Sequence, residues 1–369
     1  MTDGWYTTTL KDLCVVDWGN TNLTKSAYIE DGEFLAVSAA GCDGRIGHKE
    51  HSKGTPVLSA IGAQCGKMFF PEDDFTAIKN TITLTPRPNI CDGKFLYYLF
   101  TFVELPQRGA GQPFISKGDI QSFSVSIPSL PEQKRIVAIL DEAFAGIAAA
   151  TANAEKNLAN ARELFTSYVS LIFSSQEGDW TALPLGEICE NLDSRRIPIT
   201  KSDRAEGDIP YYGASGIVDY VAEHIFDEDI LLISEDGANL LARTYPIAFS
   251  VSGKCWVNNH AHVVRFTSMA TQRIVEFYLN SISLAPYVSG MAQPKLNQKA
   301  MNSIIVPLPP QEDHARIVGQ IEMIQEESKR LEDNYSQKLA ALNELKQTIL
   351  QKAFSGELTG IKTRHCEAA

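Results

Sequence analysis

The sequence predicts a mixed α/β protein made of two tandem globular domains, each followed by a long helix. Three observations lead to this fold class. Residues 135–174 and 316–355 carry the same ladder of apolar side chains. Each ladder follows a proline-rich segment, and short anchors outside the ladders recur at nearly the same separation. A repeat of this length exceeds a solenoid unit, so each copy is expected to be a domain with its own helix.

The two ladders predict two long helices that pack along a seam. The first starts at Ile136 and the second at Ile317, and both advance by the steps 4,3,4,3,4,4,3,4,3,4. This is heptad spacing with one four-residue stutter, which is typical of long paired helices. The segments IPSLPEQ and VPLPPQE precede the ladders, and their prolines mark where each helix starts. Gly178 and Gly356 are the expected left-handed caps at the two helix ends.

Recurring anchors divide the rest of the chain. Trp5 recurs as Trp180, and Gln112-Pro113 recurs as Gln293-Pro294. Short β-like runs broken by Gly, Asp and Pro fill both domains, at residues 55–61, 80–85, 229–234 and 261–266, with helices expected at 95–103 and 272–283. The predicted division is a first domain at 1–130, a helix at 131–176, a second domain at 177–310, a helix at 311–357 and a C-terminal tail at 358–369.

The composition restricts the class of protein. The 369 residues are 44% hydrophobic and 21% charged, which is typical of a soluble globular protein. Seven cysteines without a CxxC pair favour a reduced, cytoplasmic setting. The N-terminus resembles no export signal, and the longest apolar run, residues 96–103, is too short to span a membrane. The net charge of −12 weighs against a strongly electrostatic nucleic-acid binder, because phosphate contacts rely on Lys and Arg.

Three groups of residues carry a resemblance to a known family. They are the two proline-rich segments with their helices, LPEQKRIV and PLPPQEDHARIV; the segment IPYYGASGIVDY at residues 209–220; and SEDGANL at residues 234–240. In this combination, and over nearly the whole chain, the sequence resembles the specificity subunit of a type I restriction-modification system. The first domain departs from the pattern, because SAAGCDGRIGH at residues 38–48 matches YYGASGIVDY only loosely.

The resemblance implies both an architecture and a role. Each domain is expected to be a target-recognition domain that reads half of a bipartite double-stranded DNA site. The two helices are expected to form an antiparallel coiled coil with pseudo-two-fold symmetry, which holds the half-sites at a fixed spacing. The chain itself is expected to be non-catalytic and to bind no cofactor. It is expected to position two adenine-N6 methyltransferase subunits carrying S-adenosylmethionine and, where the system has them, two restriction/translocase subunits using ATP and Mg²⁺.

Base reading is expected from polar side chains on glycine-rich loops, because discrimination in the major groove needs hydrogen-bonding groups at base edges. In the first domain the candidates are Ser38, Arg45, His48, Lys67 and Gln112. In the second domain the candidates are Arg195, Arg196, Tyr212, Ser215, Asn239, Arg243, Asn258, Asn259, His260 and Gln293. Turn formation or capping is the competing role for any single member of this set.

Two enzyme-like patterns have simpler explanations. Residues 62–68, GAQCGKM, resemble a phosphate-binding loop, but the glycines are one residue too close and Met68 stands where Ser or Thr must bind Mg²⁺. Asp119 with Glu132 and Lys134 imitates a nuclease triad, although Glu132 and Lys134 fall in the first turn of a predicted helix. A tight turn and helix-end electrostatics are the expected roles.

Metal binding is also not expected. Cys42, His48, His51 and Cys65 have no paired zinc spacing, and neither does the pair His260 and His262, so core thiols and surface imidazoles are predicted instead. Two readings from other classes stay open: a self-contained DNA nuclease or modifying enzyme, and a coiled-coil scaffold that binds only protein. The sequence contains no GxGxxG and no NPPY-like tetrad for base methylation, which favours the non-catalytic role.

Overall fold

Each of two compact units combines one globular domain with parts of both long helices. The computed structural model describes residues 4–109, 111–175, 179–290 and 293–359. Unit 1 contains residues 1–155 and 337–369, and unit 2 contains residues 156–336. These contact-based units differ from the division predicted from sequence, because each long helix contributes to both units. The predicted cap Gly178, Cys366 and all but the first two residues of the predicted C-terminal tail lie outside the described residues.

The elements of the first half alternate short strands and short helices before one long helix. In chain order they are β1 (Tyr6–Thr9), α1 (Leu10–Leu13), β2 (Cys14–Trp18), β3 (Phe34–Ser38), β4 (Gly41–Ile46), β5 (Val57–Ser59), β6 (Met68–Phe69), β7 (Phe75–Ala77), β8 (Thr81–Pro86), α2 (Gly93–Phe102), α3 (Lys117–Ser122), β9 (Ser124–Ile127) and α4 (Leu130–Ser175). A 3-10 turn at Lys25–Ala27 lies between β2 and β3.

The second half repeats this order with two additional short elements, the strand β14 and the helix α6. Its elements are β10 (Thr181–Pro184), α5 (Leu185–Ile188), β11 (Glu190–Asn191), β12 (Ile209–Gly213), β13 (Gly216–Val221), β14 (Phe226–Asp227), β15 (Ile230–Ser234), α6 (Asn239–Ala242), β16 (Ala248–Val251), β17 (Lys254–Val257), β18 (Ala261–Arg265), α7 (Met269–Ser281), α8 (Gln298–Asn302), β19 (Ile305–Leu308) and α9 (His314–Phe354). Four 3-10 turns lie at Asp193–Arg195, Lys201–Asp203, Ala285–Tyr287 and Gln311–Asp313.

The sheets of the two units have matching topology. Unit 1 has sheets in the order β2-β8-β5-β6 and β4-β3-β7, and unit 2 has β11-β18-β15-β16 and β13-β12-β17-β14. Among the named strands of the described residues, each unit has one parallel pair, β3 with β7 and β12 with β17, and the other pairs are antiparallel. The β3–β4 and β12–β13 hairpins even carry a register shift at the same place, after Ala36 and after Tyr211. The loosely matching segment at residues 38–48 therefore belongs to the same hairpin as the YYGASGIVDY segment.

The domain helices form where local capping chemistry supports them. Asp92 caps α2, because its carboxylate accepts hydrogen bonds from the backbone N–H groups of Lys94 and Phe95 at 2.9 and 3.0 Å. Ser268 caps α7 through the N–H of Thr271 at 3.2 Å. The predicted helices at 95–103 and 272–283 are confirmed with small shifts of their ends. The strand predicted at 55–61 is shorter in the structure, where only β5 is a strand and the residues on both sides of it are in loops.

Both long helices complete the hydrophobic core of each unit. In unit 1 the buried residues Ile136 and Leu140 of α4 pack in one cluster with Leu350 and Ala353 of α9. In unit 2 the cluster contains Val169 and Phe173 of α4 with Ile317 and Ile321 of α9. Early residues of one helix therefore meet late residues of the other, which is antiparallel pairing. The predicted helix pairing and the mixed α/β fold class are confirmed.

Contacts between the helices follow the predicted ladder. Within unit 2 the hydroxyl of Ser328, which is buried in the seam, donates to the carbonyl oxygen of Ala161 at 3.1 Å. Small side chains at such positions let two helix backbones approach closely. Gly356 has φ +79°, which confirms it as a left-handed residue just after α9.

One described helix, α4, is long and apolar enough to cross a membrane when judged by length and composition alone, with a stretch of mean hydropathy 1.4. Its ladder residues Ile136 and Leu140, and Val169 and Phe173 one position after the ladder residues Tyr168 and Ile172, are buried in the two hydrophobic cores. Alanine-rich sequence between these positions accounts for the remaining apolar character. The composition is equally typical of a helix in a coiled coil.

Candidate nucleic-acid interface

Four segments of unit 2 meet at one end of its sheets, and we call residues 213–216, 235–237, 258–260 and 293–296 the loop end of unit 2. Backbone hydrogen bonds join them: Asn258 N–H to the Tyr212 carbonyl at 3.0 Å, and Glu235 N–H to the His260 carbonyl at 2.9 Å. Gly237 N–H donates to the Pro294 carbonyl at 3.0 Å. Loops distant in sequence therefore form one continuous surface.

Unit 1 has an equivalent loop end, formed by residues 38–41, 60–62, 78–80 and 112–115. The same backbone hydrogen bonds recur: Ile78 N–H to the Val37 carbonyl at 2.9 Å, Ala60 N–H to the Asn80 carbonyl at 2.9 Å, and Gly62 N–H to the Pro113 carbonyl at 3.0 Å. Gly62 and Gly237 have φ of +108° and +107°, a backbone conformation that only glycine adopts readily. The two loop ends are thus copies of one backbone design.

Seven of the predicted candidates lie at the loop ends. They are Ser38 and Gln112 in unit 1, and Ser215, Asn258, Asn259, His260 and Gln293 in unit 2. Five of them, Gln112, Ser215, Asn259, His260 and Gln293, are exposed. Their amide, hydroxyl and imidazole groups supply both donors and acceptors, which is the chemistry that reads base edges.

Three loop-end candidates also have structural partners. Asn258 is buried, and its side-chain oxygen accepts from the His260 N–H at 2.8 Å, so it shapes the turn. His260 contacts the carboxylate of Asp236 at 2.9 Å through Nδ1. Ser38 is buried and donates to Asp43 at 2.9 Å. Within unit 2, Asn259, Ser215 and Gln293 are therefore the more available candidates, together with the outer edge of His260.

The remaining candidates in unit 2 are placed elsewhere or fully engaged. Arg195 pairs with Glu228 at 2.6 Å and lies over the Phe226 ring, with its guanidinium carbon 4.5 Å from the ring centre. Tyr212 is half-buried against Phe249.

The two candidates of the α6 region stabilise local structure. The side-chain oxygen of Asn239 accepts from the Thr244 hydroxyl at 3.0 Å and the Tyr245 N–H at 2.9 Å. Arg243 donates to backbone carbonyls at the end of α7, including those of Leu279 and Asn280 at 3.2 Å. Burial lowers the pKa of Arg243. Both residues therefore close the turn after α6.

Three candidates of unit 1 also lie outside its loop end. Arg45 donates to the carbonyl oxygens of Gly32 and Glu33 at 2.5 and 2.8 Å, and so holds the loop before β3. His48 is exposed, and its ring lies 3.5 Å from the Glu50 carboxylate. Lys67 is exposed just before β6, and its carbonyl accepts from the Ser59 N–H at 2.8 Å. Only Lys67 borders the loop end.

Sequence reasoning missed four loop-end residues. Lys79 and Asn80 of unit 1 occupy the places of Asn259 and His260, as the matching backbone hydrogen bonds show. Asn80 has φ +71°, which suits asparagine in a tight turn. Asp236 and Lys295 complete the set in unit 2. The signal in the sequence is the repeat offset, because Lys79-Asn80 precedes Asn259-His260 by 180 residues, close to the 181 residues between the two Gln-Pro pairs.

A buried charge network supports the loop end of unit 2. Arg196 pairs with Glu235 at 2.6 Å and donates to the Ala261 carbonyl at 2.7 Å. His262 lies 2.6 Å from Asp193 through Nδ1 and 2.8 Å from the Leu296 carbonyl through Nε2. The network ties the turn before β18 to the segment that contains Gln293. Arg196, a predicted DNA contact, is 14% exposed and is held by these partners beneath the surface.

Neighbouring charges keep both carboxylates of this network ionised. Burial raises the pKa of Asp193, but the hydrogen bonds with His262 and the Val263 N–H, together with the charges of His262 and Arg196, outweigh burial and the pKa is lowered. Burial likewise raises the pKa of Glu235, and the hydrogen bonds from Arg196 and Lys295, together with the charges of His262 and Arg196, lower it overall. In unit 1 the positions equivalent to Glu235 and His262 are Ala60 and Ile82, which are apolar and buried. The two loop ends therefore share a backbone and differ in the side chains that support it.

The enzyme-like patterns take structural roles. Asp119 forms a capping box with Ser116 at the start of α3 and pairs with Arg108 at 2.5 Å. Residues 62–67 form a turn in which Lys67 N–H donates to the Gln64 carbonyl at 3.0 Å. Among the described residues, no group of three or more His, Cys, Asp or Glu is arranged to hold a metal ion. Cys42 is exposed and Cys65 half-buried, so the prediction that they are core thiols was wrong.

Comparison with known proteins identifies the family. The family model "Type I restriction modification DNA specificity domain" matches residues 2–158 and again residues 177–349. S.HindORF215P of Haemophilus influenzae is 34% identical over 152 residues, which are 41% of this chain and 38% of that protein. The EcoDI specificity subunit of Escherichia coli is 24% identical over 96% of this chain and 89% of its own length.

The fold has solved relatives as well. A structure from work on "complex assembly and conformational transition of the type I R-M system" has a TM-score of 0.72 at 17% identity, covering 97% of this chain and 99% of that one. At this identity the likeness shows the fold alone. The family match covers both repeats, including both loop ends and most of both helices. The chain therefore belongs to the type I restriction-modification DNA specificity family, whose members are the non-catalytic specificity subunits of these systems.

Proposed function

We propose that this chain recognises a bipartite double-stranded DNA site, with one half-site read at the loop end of each unit. The observation that carries the proposal is the repetition of one loop-end backbone in two units with different exposed side chains. Asn259 and His260 stand in unit 2 where Lys79 and Asn80 stand in unit 1. An equal scaffold with unequal hydrogen-bonding groups suits two half-sites of unequal sequence.

The partners follow from the family and from the chemistry of the surface. We propose that the chain positions two adenine-N6 methyltransferase subunits on the DNA and, where the system has them, two restriction/translocase subunits. S-adenosylmethionine, ATP and Mg²⁺ belong to those subunits in this proposal, and none to this chain. Partner subunits that supply phosphate contacts also reconcile DNA binding with the net charge of −12. Such a complex works in the cytoplasm, where the chromosome is.

Methylome sequencing tests this function. The methyltransferase gene of the same system is expressed in a host that lacks its own adenine methylation, either with or without this chain. We expect methylated adenines within one bipartite motif only when the chain is present. The same motif in the absence of the chain would contradict the proposal, and so would the absence of any methylated motif from cells that contain the assembled complex.

A further inference from the structure

Both units carry the same short hairpin, whose second half belongs to the loop end, and we call residues 108–115 and 289–296 the glutamine hairpins. In unit 1 the backbones of Arg108 and Phe114 exchange hydrogen bonds of 2.9 and 2.8 Å. In unit 2 Ser289 and Lys295 do the same at 2.9 and 2.8 Å. Ala110 and residues 291–292 lie outside the described part of these hairpins. Gln112 and Gln293 hold the same place in each.

The fold requires the glycine of each hairpin. Gly109 and Gly290 have φ of +88° and +85°. A Cβ added to Gly109 would lie 2.5 Å from the carbonyl oxygen of Gln112, and one added to Gly290 would lie 2.5 Å from that of Gln293. In each hairpin the glycine therefore packs against the backbone carbonyl of the glutamine. A residue of any type has this carbonyl, so the packing does not depend on the glutamine side chain.

Within the described parts of the two hairpins, the glutamine side chains have no such structural role. Both are exposed, and neither carboxamide makes a hydrogen bond to another described residue. The residue two places later differs between the units: Phe114 is an exposed apolar side chain, while Lys295 pairs with Glu235 at 3.1 Å. The repeats have thus diverged around two identical side chains that make no hydrogen bond to another described residue, so both side chains are available for a contact outside the chain.

We propose that Gln112 and Gln293 each donate a hydrogen bond from the carboxamide N–H to a DNA phosphate at equivalent positions of the two half-sites. This inference rests on the proposed function. Half-sites of different sequence share their sugar–phosphate backbone, so an identical residue in both units fits that shared feature. The bases differ between the half-sites. The residues that differ between the units, Asn259 and His260 in unit 2 and Lys79 and Asn80 in unit 1, are therefore the ones suited to contact bases. The hairpins position the DNA, and the neighbouring turns read it.

The test uses the complete complex of this chain with its methyltransferase partner. The variants are Gln112→Ala and Gln293→Ala, together with the shape-conserving Gln112→Glu and Gln293→Glu. Dissociation constants are measured on a duplex with the methylated motif and on a duplex with that motif scrambled, and methylomes are sequenced. The control is Asn89→Ala, because Asn89 is an exposed amide that follows the end of β8 opposite to Asn80.

Each alanine variant is expected to weaken binding to both duplexes by about tenfold, the scale of one hydrogen bond to a charged group. The glutamate variants are expected to bind more weakly still, because a carboxylate repels the phosphate. The methylated motif is expected to stay unchanged, and Asn89→Ala to bind like the native chain.

Two results would overturn the inference. Relaxation of the motif at one base position would show that the glutamine reads a base. Unchanged affinity in the glutamate variants would show that the side chain makes no contact. The proposed function is tested separately, with the native complex alone. It would fail if that complex methylated no bipartite motif.

Discussion

Replacement of Leu350 by alanine is expected to destabilise unit 1, although Leu350 lies near the end of the chain. The side chain is fully buried in a cluster with Phe95 and Ile136, which belong to the first domain and to α4. Removing a buried leucine side chain leaves a cavity and costs about 2–5 kcal/mol of unfolding free energy. Hydrogen exchange should reveal the loss in β8 of unit 1, while β18 of unit 2 keeps its protection.

The matched control for this variant is Leu345→Ala. Leu345 lies on the same helix but is 47% exposed, so its replacement is expected to cost less than about 1 kcal/mol. Equal losses in the two variants would contradict the finding that the end of α9 completes the core of unit 1. Loss of protection in β18 and not in β8 would contradict it as well.

Replacement of Arg196 by methionine is expected to destabilise unit 2 and to impair recognition of one half-site. The Arg196 and Glu235 side chains are 14% and 12% exposed, so methionine removes the closest partner of a largely buried carboxylate and leaves it with Lys295 at 3.1 Å and His262 at 3.8 Å. Breaking a buried pair in this way costs about 3–5 kcal/mol. Chemical denaturation should show the loss of stability. Methylome sequencing should show impaired recognition of one half-site, while the other half-site is still recognised.

Arg195→Met is the control at the neighbouring position. The Arg195 side chain is 42% exposed, and its pair with Glu228 is screened by solvent, so the expected cost is at most about 1 kcal/mol. A larger loss of stability from Arg195→Met than from Arg196→Met would contradict the distinction between a surface arginine and a buried support.

The long helices were predictable because their pattern is local and periodic. The predicted helix at 131–176 corresponds to α4 at Leu130–Ser175, and the predicted helix at 311–357 to α9 at His314–Phe354. The second helix starts later because residues Gln311–Asp313 form a 3-10 turn after the prolines. Ser328 was placed on the apolar ladder by spacing alone, and its burial against Ala161 confirms that spacing outweighs polarity at this position.

The candidate site was less predictable, because the sequence does not indicate which residues an arginine contacts in the fold. Arg196 pairs with Glu235, and Arg243 donates to the carbonyls at the end of α7, only after strands distant in sequence have paired. Lys79 and Asn80 carry no motif and became visible through backbone hydrogen bonds equivalent to those of unit 2. The loop residues chosen for their glycine-rich surroundings, Ser215 and Gln293 among them, do lie together at the loop end.

The central claim, that each unit reads one half of the DNA site, is tested most directly by exchanging one domain. Residues 179–310 are replaced by the corresponding segment of a relative with a different motif, while both long helices stay native. Residues 4–129 are replaced in the reciprocal chimera. The account predicts that methylome sequencing of each chimera shows one new half-site, a different one in each case, beside one unchanged half-site. A motif that changed in both halves, or in neither, would contradict it.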